Sequence, residues 1–432
     1  MRNMEKRKVV SLFSSAGIGE LGIPKDQLEI VVSNELIENR HNLYQNNYPD
    51  THCITGDIWV EKSNIIEAYR SRSDTAPFLI YATPPCQGMS TNGVGRLMHE
   101  IRKGNRLPDD PRNRLIIPTM DIVCELRPEW LLLENVPNMQ NTLIETETGE
   151  YKNIIEYIRF RLGEEYDGGP EVVNCADYGI PQTRRRLITV FTRTTKGKAY
   201  YESHRTFLPN RTHSQYGEIG TDVWVTLRDA IGDFPPLQAK AGENERKDFH
   251  PCHIVPIMKD EKYWWTQHTK PGDTAFNNQC VNPDCMFQGN RKHGSRNEGG
   301  LHVSNTGTPI YCEKCGQLLP RPSVVDRKTG IRRCIKGFES AYRRMEWDVP
   351  SPTLTQNLQF EASDKKIHPS QNRVLSIYEA LVLQTIADYS YDFSIKGKEI
   401  PRSLYCEVIG ESVPPRLIEL VCKNILQISA NV

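Results

Sequence analysis

The segment Pro77-Phe78-Leu79-Ile80-Tyr81-Ala82-Thr83-Pro84-Pro85-Cys86-Gln87 joins an apolar run to a pair of prolines and then to a cysteine. The apolar run predicts a buried strand, and the prolines end it because proline cannot donate a hydrogen bond to a neighbouring strand. Cys86 is thereby presented just beyond the carboxyl end of a strand, where open α/β sheets place their ligands. The segment therefore predicts an α/β sheet with a thiol at its ligand-binding edge.

Two other segments place chemically active side chains after apolar runs. The run 130–133 continues directly into Glu134-Asn135-Val136, and the segment 178–182 leads into Arg184, Arg185 and Arg186. A thiol, a carboxylate and an arginine cluster near separate strand ends could supply a nucleophile, an acid and a clamp for an anion.

Short apolar strands alternate with helical patterns between residues 8 and 192. Residues 115–126 and 153–162 carry apolar positions at helical spacing, and such alternation indicates a doubly wound, mostly parallel sheet. The predicted strands are 9–13, 28–32, 78–81, 130–133 and 187–191.

The character of the chain changes at about residue 193, where turn residues, tryptophans and charges replace long periodic segments. Helical periodicity returns at 376–383 and again at 415–421, where Pro415 suits the first turn of a helix. We therefore predict a catalytic domain over 1–192, an inserted second domain over 193–372, and a return to the catalytic domain over 373–432.

Composition places few limits on function. The 432 residues are enough for two domains, and 38% hydrophobic with 25% charged residues is ordinary for a globular protein. No apolar stretch approaches the roughly 20 residues that span a bilayer, and no signal peptide is evident, so we expect a cytoplasmic protein. Formal net charge is zero, but residues 291–346 carry twelve Lys or Arg against five Asp or Glu. By itself this local excess indicates a solvated surface, and a phosphate-binding surface is the alternative.

Six blocks in order resemble the motifs of DNA (cytosine-5) methyltransferases, and they cover residues 9–192 and 371–425 but not the middle of the chain. They are Ser11-Leu12-Phe13 with Gly17-Ile18-Gly19, Asn34-Glu35, Pro85-Cys86-Gln87, Glu134-Asn135-Val136, Gln182-x-Arg184-x-Arg186 and Gly410-Glu411-Ser412-Val413-Pro414-Pro415. The resemblance implies a Rossmann-like S-adenosylmethionine-dependent methyltransferase domain with a smaller inserted target-recognition domain. It also implies that the chain acts on duplex DNA as a monomer and protects sites that a cognate restriction endonuclease cleaves.

The resemblance assigns roles to the residues at the strand ends. The Cys86 thiolate would add to C6 of a flipped-out cytosine, the acid Glu134 would hold N3 and the N4 amine, and Arg186 would hold O2. Gln87 and Arg184 belong to the same catalytic set, with Arg184 in a structural or phosphate-facing role. The base that removes the C5 proton is not identified, and water is an alternative.

The glycine-rich segment 17–22 formally matches a G-x-G-x-x-G fingerprint, which by itself fits either a nicotinamide dinucleotide or S-adenosylmethionine. The resemblance favours S-adenosylmethionine. Ser15 stands where the family usually has glycine and Glu411 where it usually has asparagine, so an added carboxylate could repel the cofactor's carboxylate or bind its ammonium group. The expected cofactor-binding residues are Phe13, Ser15, Gly17, Gly19, Glu35, Asp57, Ile58, Pro85, Glu411 and Ser412.

Four of the twelve cysteines form two close pairs in the inserted region, and they are Cys280, Cys285, Cys312 and Cys315. Two such pairs can converge on one tetrahedral zinc ion, although the first pair has an unusual x4 spacing. A structural zinc site is therefore expected, and four unpaired thiols are the alternative. His293, His302 and Cys334 are further candidate ligands. The candidate base-reading residues in this region are Arg291, Lys292, Arg296, Arg332, Arg333, Asn290 and Asn297.

Three other functions compete with DNA cytosine methylation. An RNA (tRNA) cytosine-5 methyltransferase would use the same motifs, although the basic, cysteine-bearing insert favours duplex DNA. A DNA-binding regulator with a degenerate catalytic domain would explain Ser15 and Glu411, but the intact Cys86, Glu134 and Arg186 oppose it. A nicotinamide dehydrogenase would leave Pro85-Cys86-Gln87 without a purpose.

Overall fold

A seven-stranded sheet forms the centre of the computed structural model, which describes residues 5–85, 89, 110–298, 301–305, 307–337 and 339–430. The strand order is β3-β2-β1-β4-β5-β10-β8. The first five strands in this order are parallel, whereas β10 runs antiparallel to both of its neighbours. The seven strands are β1 (Arg7–Leu12), β2 (Leu28–Glu35), β3 (His52–Thr55), β4 (Leu79–Ala82), β5 (Trp130–Asn135), β8 (Asp167–Asn174) and β10 (Arg185–Thr192).

Helices cover both faces of this sheet. One apolar cluster joins β1, β4 and β5 to α2 (Ile58–Arg70), α3 (Ile116–Leu126) and α4 (Ile154–Leu162). A second cluster, on the other face, includes α10 (Pro415–Ala430) and the partly buried tyrosines of α5 (Thr195–His204). Because both faces are covered, the inner strand β5 is buried along its whole length, and its residues 130–133 form an uninterrupted apolar run rather than an alternating pattern.

The sheet confirms the Rossmann-like α/β class, and each of the five predicted strands corresponds to a strand of the sheet. The predicted helices at 115–126, 153–162, 376–383 and 415–421 are also present. The last two correspond to α8 (Ile377–Leu383), which begins at a Ser376/Glu379 capping box, and to α10. Just past the predicted boundary at 193, α5 packs against the sheet, so residues of the inserted segment contribute to the sheet domain.

The middle of the chain contains short elements that take part in two further apolar clusters. One cluster joins α6 (Leu227–Ile231) to α8 and α9 (Arg402–Glu411) and to α1 (Glu38–Asn47). Another surrounds Phe276 beside α7 (Asp260–Gln267). The remaining strands are β6 (Leu143–Glu145), β7 (Tyr151–Asn153), β9 (Gln182–Thr183), β11 (His213–Ser214), β12 (Asp222–Val223), β13 (Ser295–Glu298), β14 (Leu301–Ser304), β15 (Ser323–Val325), β16 (Arg332–Cys334), β17 (Ser351–Pro352), β18 (Ser394–Ile395) and β19 (Lys398–Glu399).

A membrane-spanning helix is absent from the described part of the chain, in which no helix is both long and apolar enough to cross a bilayer.

Candidate functional site

The carboxyl ends of the parallel strands form the edge of the sheet at which the predicted site lies. The loops after β1 and β4 are joined there, because the Thr83 hydroxyl donates to the Phe13 carbonyl (2.9 Å). The loops after β4 and β5 are joined in the same way, because the Asn135 side-chain amide donates to the Pro84 carbonyl (2.9 Å). Asn135 thus holds the start of the Pro-Pro-Cys segment against the end of β5.

Glu134 and Arg186 meet at this edge. The antiparallel register of β10 and β5 sets Ile188 opposite Glu134, so that Arg186 lies two residues beyond it. The Arg186 Nε then lies 2.8 Å from the Glu134 Oε1, with about a tenth of either side chain exposed (12% and 10%). Burial raises the pKa of the Glu134 carboxyl, and the charges of Arg186 and Arg184 oppose that rise. A buried acid beside a guanidinium can therefore hold or release a proton.

Arg184 and Gln182 have a different position from Arg186. Arg184 is fully buried, and its guanidinium donates to the carbonyls of Leu354 (2.6 Å), Gly410 (3.1 Å) and Ser412 (2.6 Å). The Gln182 amide, also buried, donates to Gln384 and accepts from the Leu354 N–H. These two residues join the strand that carries Arg186 to the segment 410–412.

Two of the predicted catalytic residues, Cys86 and Gln87, lie outside the described residues. Pro85, immediately before them, is half-buried.

The loop after β1 has an unusual backbone. Phe13 and Ser15 adopt φ of 58° and 49°, in the left-handed region that residues other than glycine seldom enter. Ser15 therefore occupies a position at which glycine is less strained. Gly17 has φ +76°, and a Cβ there would lie 2.5 Å from Tyr48 Cε2. At Gly19 a Cβ would lie 2.6 Å from the Tyr81 hydroxyl. The turn therefore approaches neighbouring rings too closely for a side chain.

Glu35, at the end of β2, faces this loop. Its two carboxylate oxygens accept from the backbone N–H groups of Ser15 (2.8 Å) and Ile37 (2.9 Å). Burial raises the pKa of Glu35, and these two N–H groups oppose the rise. In the next loop, Asp57 is exposed and caps α2 by accepting from the Trp59 N–H (3.0 Å), while Ile58 is buried.

Glu411 and Ser412 close the same side of the site from the carboxyl-terminal part of the chain. The Glu411 carboxylate is paired with Arg40 of α1, whose Nη1 lies 2.8 Å from the Glu411 Oε2. Sequence reasoning did not identify Arg40, Gln182 or Asn135 as site residues. Arg40 carries no local signal, because the residue that it pairs with is 371 positions away. Gln182 and Asn135 lay within quoted motifs, but their hydrogen bonds depend on the packing of distant segments.

The residues present fit a nucleoside cofactor. We call the backbone turn at Gly17–Gly19 the cradle; it packs on Tyr48 and Tyr81 so closely that neither glycine has room for a side chain. A carboxylate has about four lone-pair sites, so Glu35 retains acceptors for two ribose hydroxyls after its two backbone contacts. The segment that follows Glu411 reaches the same loop, because a Cβ at Gly19 would lie 3.1 Å from the Val413 Cγ1.

Four cysteine side chains converge in the inserted region. The sulfur atoms of Cys280, Cys285, Cys312 and Cys315 all lie within 4.8 Å of one another. Two of the separations are 3.7 Å (Cys280 to Cys315) and 3.9 Å (Cys285 to Cys312). The second pair sits on a tight turn in which the Gly316 N–H donates to the Cys312 carbonyl (2.8 Å). His293 and Cys334, the described alternative ligands, are not part of this cluster.

A basic hairpin follows the cysteine cluster in the chain. Strands β15 and β16 pair antiparallel around a turn in which Asp326 accepts from the N–H groups of Lys328 (3.0 Å) and Thr329 (3.1 Å). Arg327, Lys328 and Arg333 are exposed. Arg332 instead ties the hairpin to α7 through Glu261 (2.9 Å). Asn290 is buried and accepts from the Glu313 N–H within the cysteine region.

Comparison with known proteins agrees with this geometry. The model of the C-5 cytosine-specific DNA methylase family matches residues 7–427. The chain is similar to the type II methyltransferase M1.HgaI of Avibacterium volantium, at 29% identity over 96% of this chain and 97% of that protein. It is also similar to M.NgoPII of Neisseria gonorrhoeae, at 31% identity over 78% of this chain and 82% of that protein.

A solved structure supports the fold. It is described as a DNA modification methyltransferase encoded within an E. coli prophage. The superposition covers 99% of this chain and 100% of that chain, at 18% sequence identity and a TM-score of 0.58. A family match of this extent, together with a buried acid–arginine pair at the ligand-binding edge of the sheet, shows that the chain belongs to the C-5 cytosine-specific DNA methylases and is a DNA cytosine methyltransferase.

Proposed function

We propose that the chain methylates C5 of a flipped-out cytosine within a specific sequence of duplex DNA, as the modification enzyme of a type II restriction–modification system. The Glu134–Arg186 pair carries this proposal, because it sets an acid and a cation at a separation of 2.8 Å beside the loop that leads to Cys86. The printed names of the relatives as type II methyltransferases support the restriction–modification setting.

In the proposed reaction, Cys86 acts as the nucleophile. Its thiolate forms a bond to C6, and the displaced electron pair makes C5 nucleophilic. S-adenosylmethionine supplies an electrophilic methyl group to C5 when it is bound. The C5 proton then passes to a base or water, and the bond between sulfur and C6 breaks, which restores the aromatic ring and the free thiolate.

Glu134 is proposed to stabilise the addition. Because burial raises its pKa, the Glu134 carboxyl keeps its proton to higher pH than an exposed carboxyl does, and it can donate to N3 as negative charge develops on the ring. Its second oxygen can accept from the N4 amine, which distinguishes cytosine from thymine. Arg186 remains beside the acid and can donate to O2. The target base must leave the duplex to reach these groups. Arg184 is proposed to position the segment 410–412 rather than to touch the base.

The proposed cofactor residues surround the loop after β1. Glu35 would accept from the ribose hydroxyls, with Phe13 against the adenine ring. Asp57 and Ile58 would border the adenine edge, while Gly17, Gly19 and Ser15 form the cradle. Pro85, Glu411 and Ser412 complete the site from the other side. The strained backbone of Phe13 and Ser15 supports a binding role, since such strain concentrates at ligand sites.

The cysteine cluster is proposed to hold structural zinc. Four sulfur atoms at about 2.3 Å from one ion lie about 3.8 Å apart in a tetrahedron. Two of the separations, 3.7 and 3.9 Å, match that value, and all four sulfur atoms lie within 4.8 Å of one another. Four thiolates leave no open position, so the ion would stabilise the insert and take no part in methyl transfer. Protein purified without chelator should contain about one zinc per chain by elemental analysis. Protein without stoichiometric zinc would remove the site.

The hairpin β15–β16 is proposed to contact DNA. The major groove admits a two-stranded ribbon, and the exposed Arg327, Lys328 and Arg333 provide positive charge along this one. The hairpin base is held by Arg321, a buried side chain that donates to the carbonyls of Asn278, Arg291 and Pro309. A rigid base lets the exposed side chains meet DNA in one orientation.

The hairpin assignment can be tested by the salt dependence of DNA affinity. Replacing Lys328 by alanine should reduce the slope of log K against log salt by about 1 if the side chain contacts a phosphate. Lys398→Ala, on the exposed hairpin β18–β19, is the matched control and should leave the slope unchanged. Equal slopes for the wild type and Lys328→Ala would exclude this residue from the phosphate contacts.

Bisulfite sequencing of DNA from cells that express the chain tests the proposed function itself. A single protected sequence with fully converted cytosines elsewhere is the expected result, and Cys86→Ser should abolish it. DNA containing 5-fluorocytosine at that site should form a covalent adduct with the wild type only, because fluorine cannot leave as a proton. Methylation of tRNA with no methylation of DNA would favour the RNA enzyme. Specific DNA binding without either activity would favour the regulator.

A further inference from the structure

An ion pair that links two distant parts of the chain borders the cofactor cradle. Arg40 lies in α1, five residues after Glu35, and Glu411 ends α9 immediately before Ser412. The Arg40 Nη1 and the Glu411 Oε2 are 2.8 Å apart, and the side chains are 13% and 28% exposed. The pair is therefore only partly open to solvent, as the wall of a binding site is.

The backbone that carries Glu411 is held rigidly. A Cβ at Gly410 would lie 2.1 Å from the backbone of Thr355 and Gln356, so this segment packs directly on another backbone. The Ser412 carbonyl accepts from both Arg184 (2.6 Å) and Gln384 (2.7 Å). Glu411 is thus a carboxylate at a defined position between two anchored neighbours.

Both members of the pair keep unused hydrogen-bonding capacity within the described part of the chain. Glu411 uses one oxygen for Arg40, which leaves Oε1 as an acceptor. The Arg40 Nη2 lies 3.7 Å from the Glu407 carboxylate, which is beyond hydrogen-bonding distance. The pair can therefore bind a second pair of charges, one of each sign.

The pair also acts electrostatically on the proposed ribose-binding carboxylate. The positive charge of Arg40 lowers the pKa of Glu35, and the negative charge of Glu411 raises it, although burial is the larger influence. All three charges therefore lie close enough to influence one another. The amino-acid end of S-adenosylmethionine is the part that carries both an ammonium group and a carboxylate.

We propose that Arg40 and Glu411 together bind the zwitterionic end of the cofactor, with Glu411 accepting from its α-ammonium group and Arg40 donating to its α-carboxylate. This inference rests on the proposed function, since it concerns the same cofactor. It gives a purpose to the carboxylate that stands where related enzymes usually have asparagine. An unpaired Glu411 would repel the cofactor's carboxylate, whereas the Arg40 partner turns that side chain into half of a complementary pair.

Binding of S-adenosylhomocysteine, measured by calorimetry, tests this arrangement without requiring turnover. Glu411→Gln and Arg40→Ala should each raise the Kd about 10-fold or more, because each removes a hydrogen bond to a charged group. The Kd of the double variant should be lower than the product of the two single-variant increases predicts. Each single variant leaves one uncompensated charge that repels the like charge of the ligand, and the double variant removes that charge. Glu407→Gln, one turn earlier on α9, is the matched control and should stay within about twofold.

A second ligand separates the amino-acid end from the nucleoside. The Kd for 5′-methylthioadenosine, which lacks the amino acid, should be unchanged in every variant. Glu411→Gln with wild-type affinity for S-adenosylhomocysteine would overturn the inference while leaving the cofactor assignment intact. Wild-type protein that binds neither ligand would overturn the cofactor assignment, and the inference with it.

Discussion

Replacing Glu134 by glutamine removes the transferable proton of the proposed acid and keeps the shape of its side chain. Glutamine is nearly isosteric and keeps an oxygen that can accept from the Arg186 Nε, which lies 2.8 Å from Glu134 in the wild type. It can still hydrogen-bond a cytosine, but it cannot transfer a proton. The substitution therefore changes one chemical property at a fixed position.

The magnitude follows from the role of a general acid. Such a group contributes about 10²- to 10⁴-fold, so the variant should lose about 3 to 5 kcal/mol of transition-state stabilisation. Its stability should fall by about 1 to 3 kcal/mol, because Arg186 loses a charged partner in a largely buried position. Cofactor affinity should be retained, since Glu35 lies on another strand.

The assay is single-turnover methyl transfer to duplex DNA across a pH series. Because burial raises the Glu134 pKa, the protonated acid persists to higher pH than an exposed carboxyl does. The wild-type rate should decline as pH rises and Glu134 loses its proton. Glu134→Gln should lose this decline along with most of the rate. Glu129→Gln, just before the amino end of the same strand, is the control and should keep the wild-type rate. A folded Glu134→Gln enzyme within threefold of the wild-type rate would refute the proton-donor role.

Three further results are expected. Cys312→Ser should release the zinc and weaken DNA binding while S-adenosylhomocysteine still binds, and Cys334→Ser, outside the cluster, should keep the metal on elemental analysis. Glu379→Gln should lower the free energy of unfolding by roughly 3 to 5 kcal/mol at pH 7, because Glu379 and Arg373 form a buried pair with 0% and 1% of their side chains exposed. Burial alone would raise the Glu379 pKa, but Arg373 outweighs burial and lowers the pKa to about 2. The stability from this pair is therefore present above about pH 4.5 and is lost as pH falls towards 2. Denaturant titrations at pH 7 and pH 3 would measure the loss. Gly17→Ala should reduce S-adenosylhomocysteine affinity at least tenfold on calorimetry, because its methyl group would overlap Tyr48, whereas Gly397→Ala has a similar φ of +73° with open space around it and should keep the affinity.

The buried parallel strands and the order of the chemical groups could be read from the sequence. Strands such as β5 are covered on both faces, so their apolar runs are continuous and recognisable without tertiary information. The edge strands β3 and β8 were not predicted. Strand β8 contains Gly168, Gly169 and Pro170, which an edge position tolerates but which carry no strand signal.

The contacts of Gln182, Arg184 and Arg186 were decided by tertiary structure. Both arginines follow the same turn, and only the family resemblance distinguished their predicted roles; the contact between Arg186 and Glu134 requires the antiparallel pairing of β10 with β5. Arg184 meets carbonyls from residues 170 and more positions away. Local patterns record which face of an element is apolar, whereas register and long-range packing depend on the whole chain at once.

The same difference between local sequence and tertiary packing applies to the metal and cofactor residues. The sequence by itself determined that four cysteines occur as two pairs and that an extra carboxylate precedes Ser412. Only the folded chain brings sulfur atoms from positions 27 and 35 residues apart to within 3.9 and 3.7 Å, and only it pairs Glu411 with Arg40. A short segment of sequence determines the chemistry of its side chains, but tertiary packing determines which groups those side chains contact. The free energy of burial depends on contacts between segments that are distant in sequence.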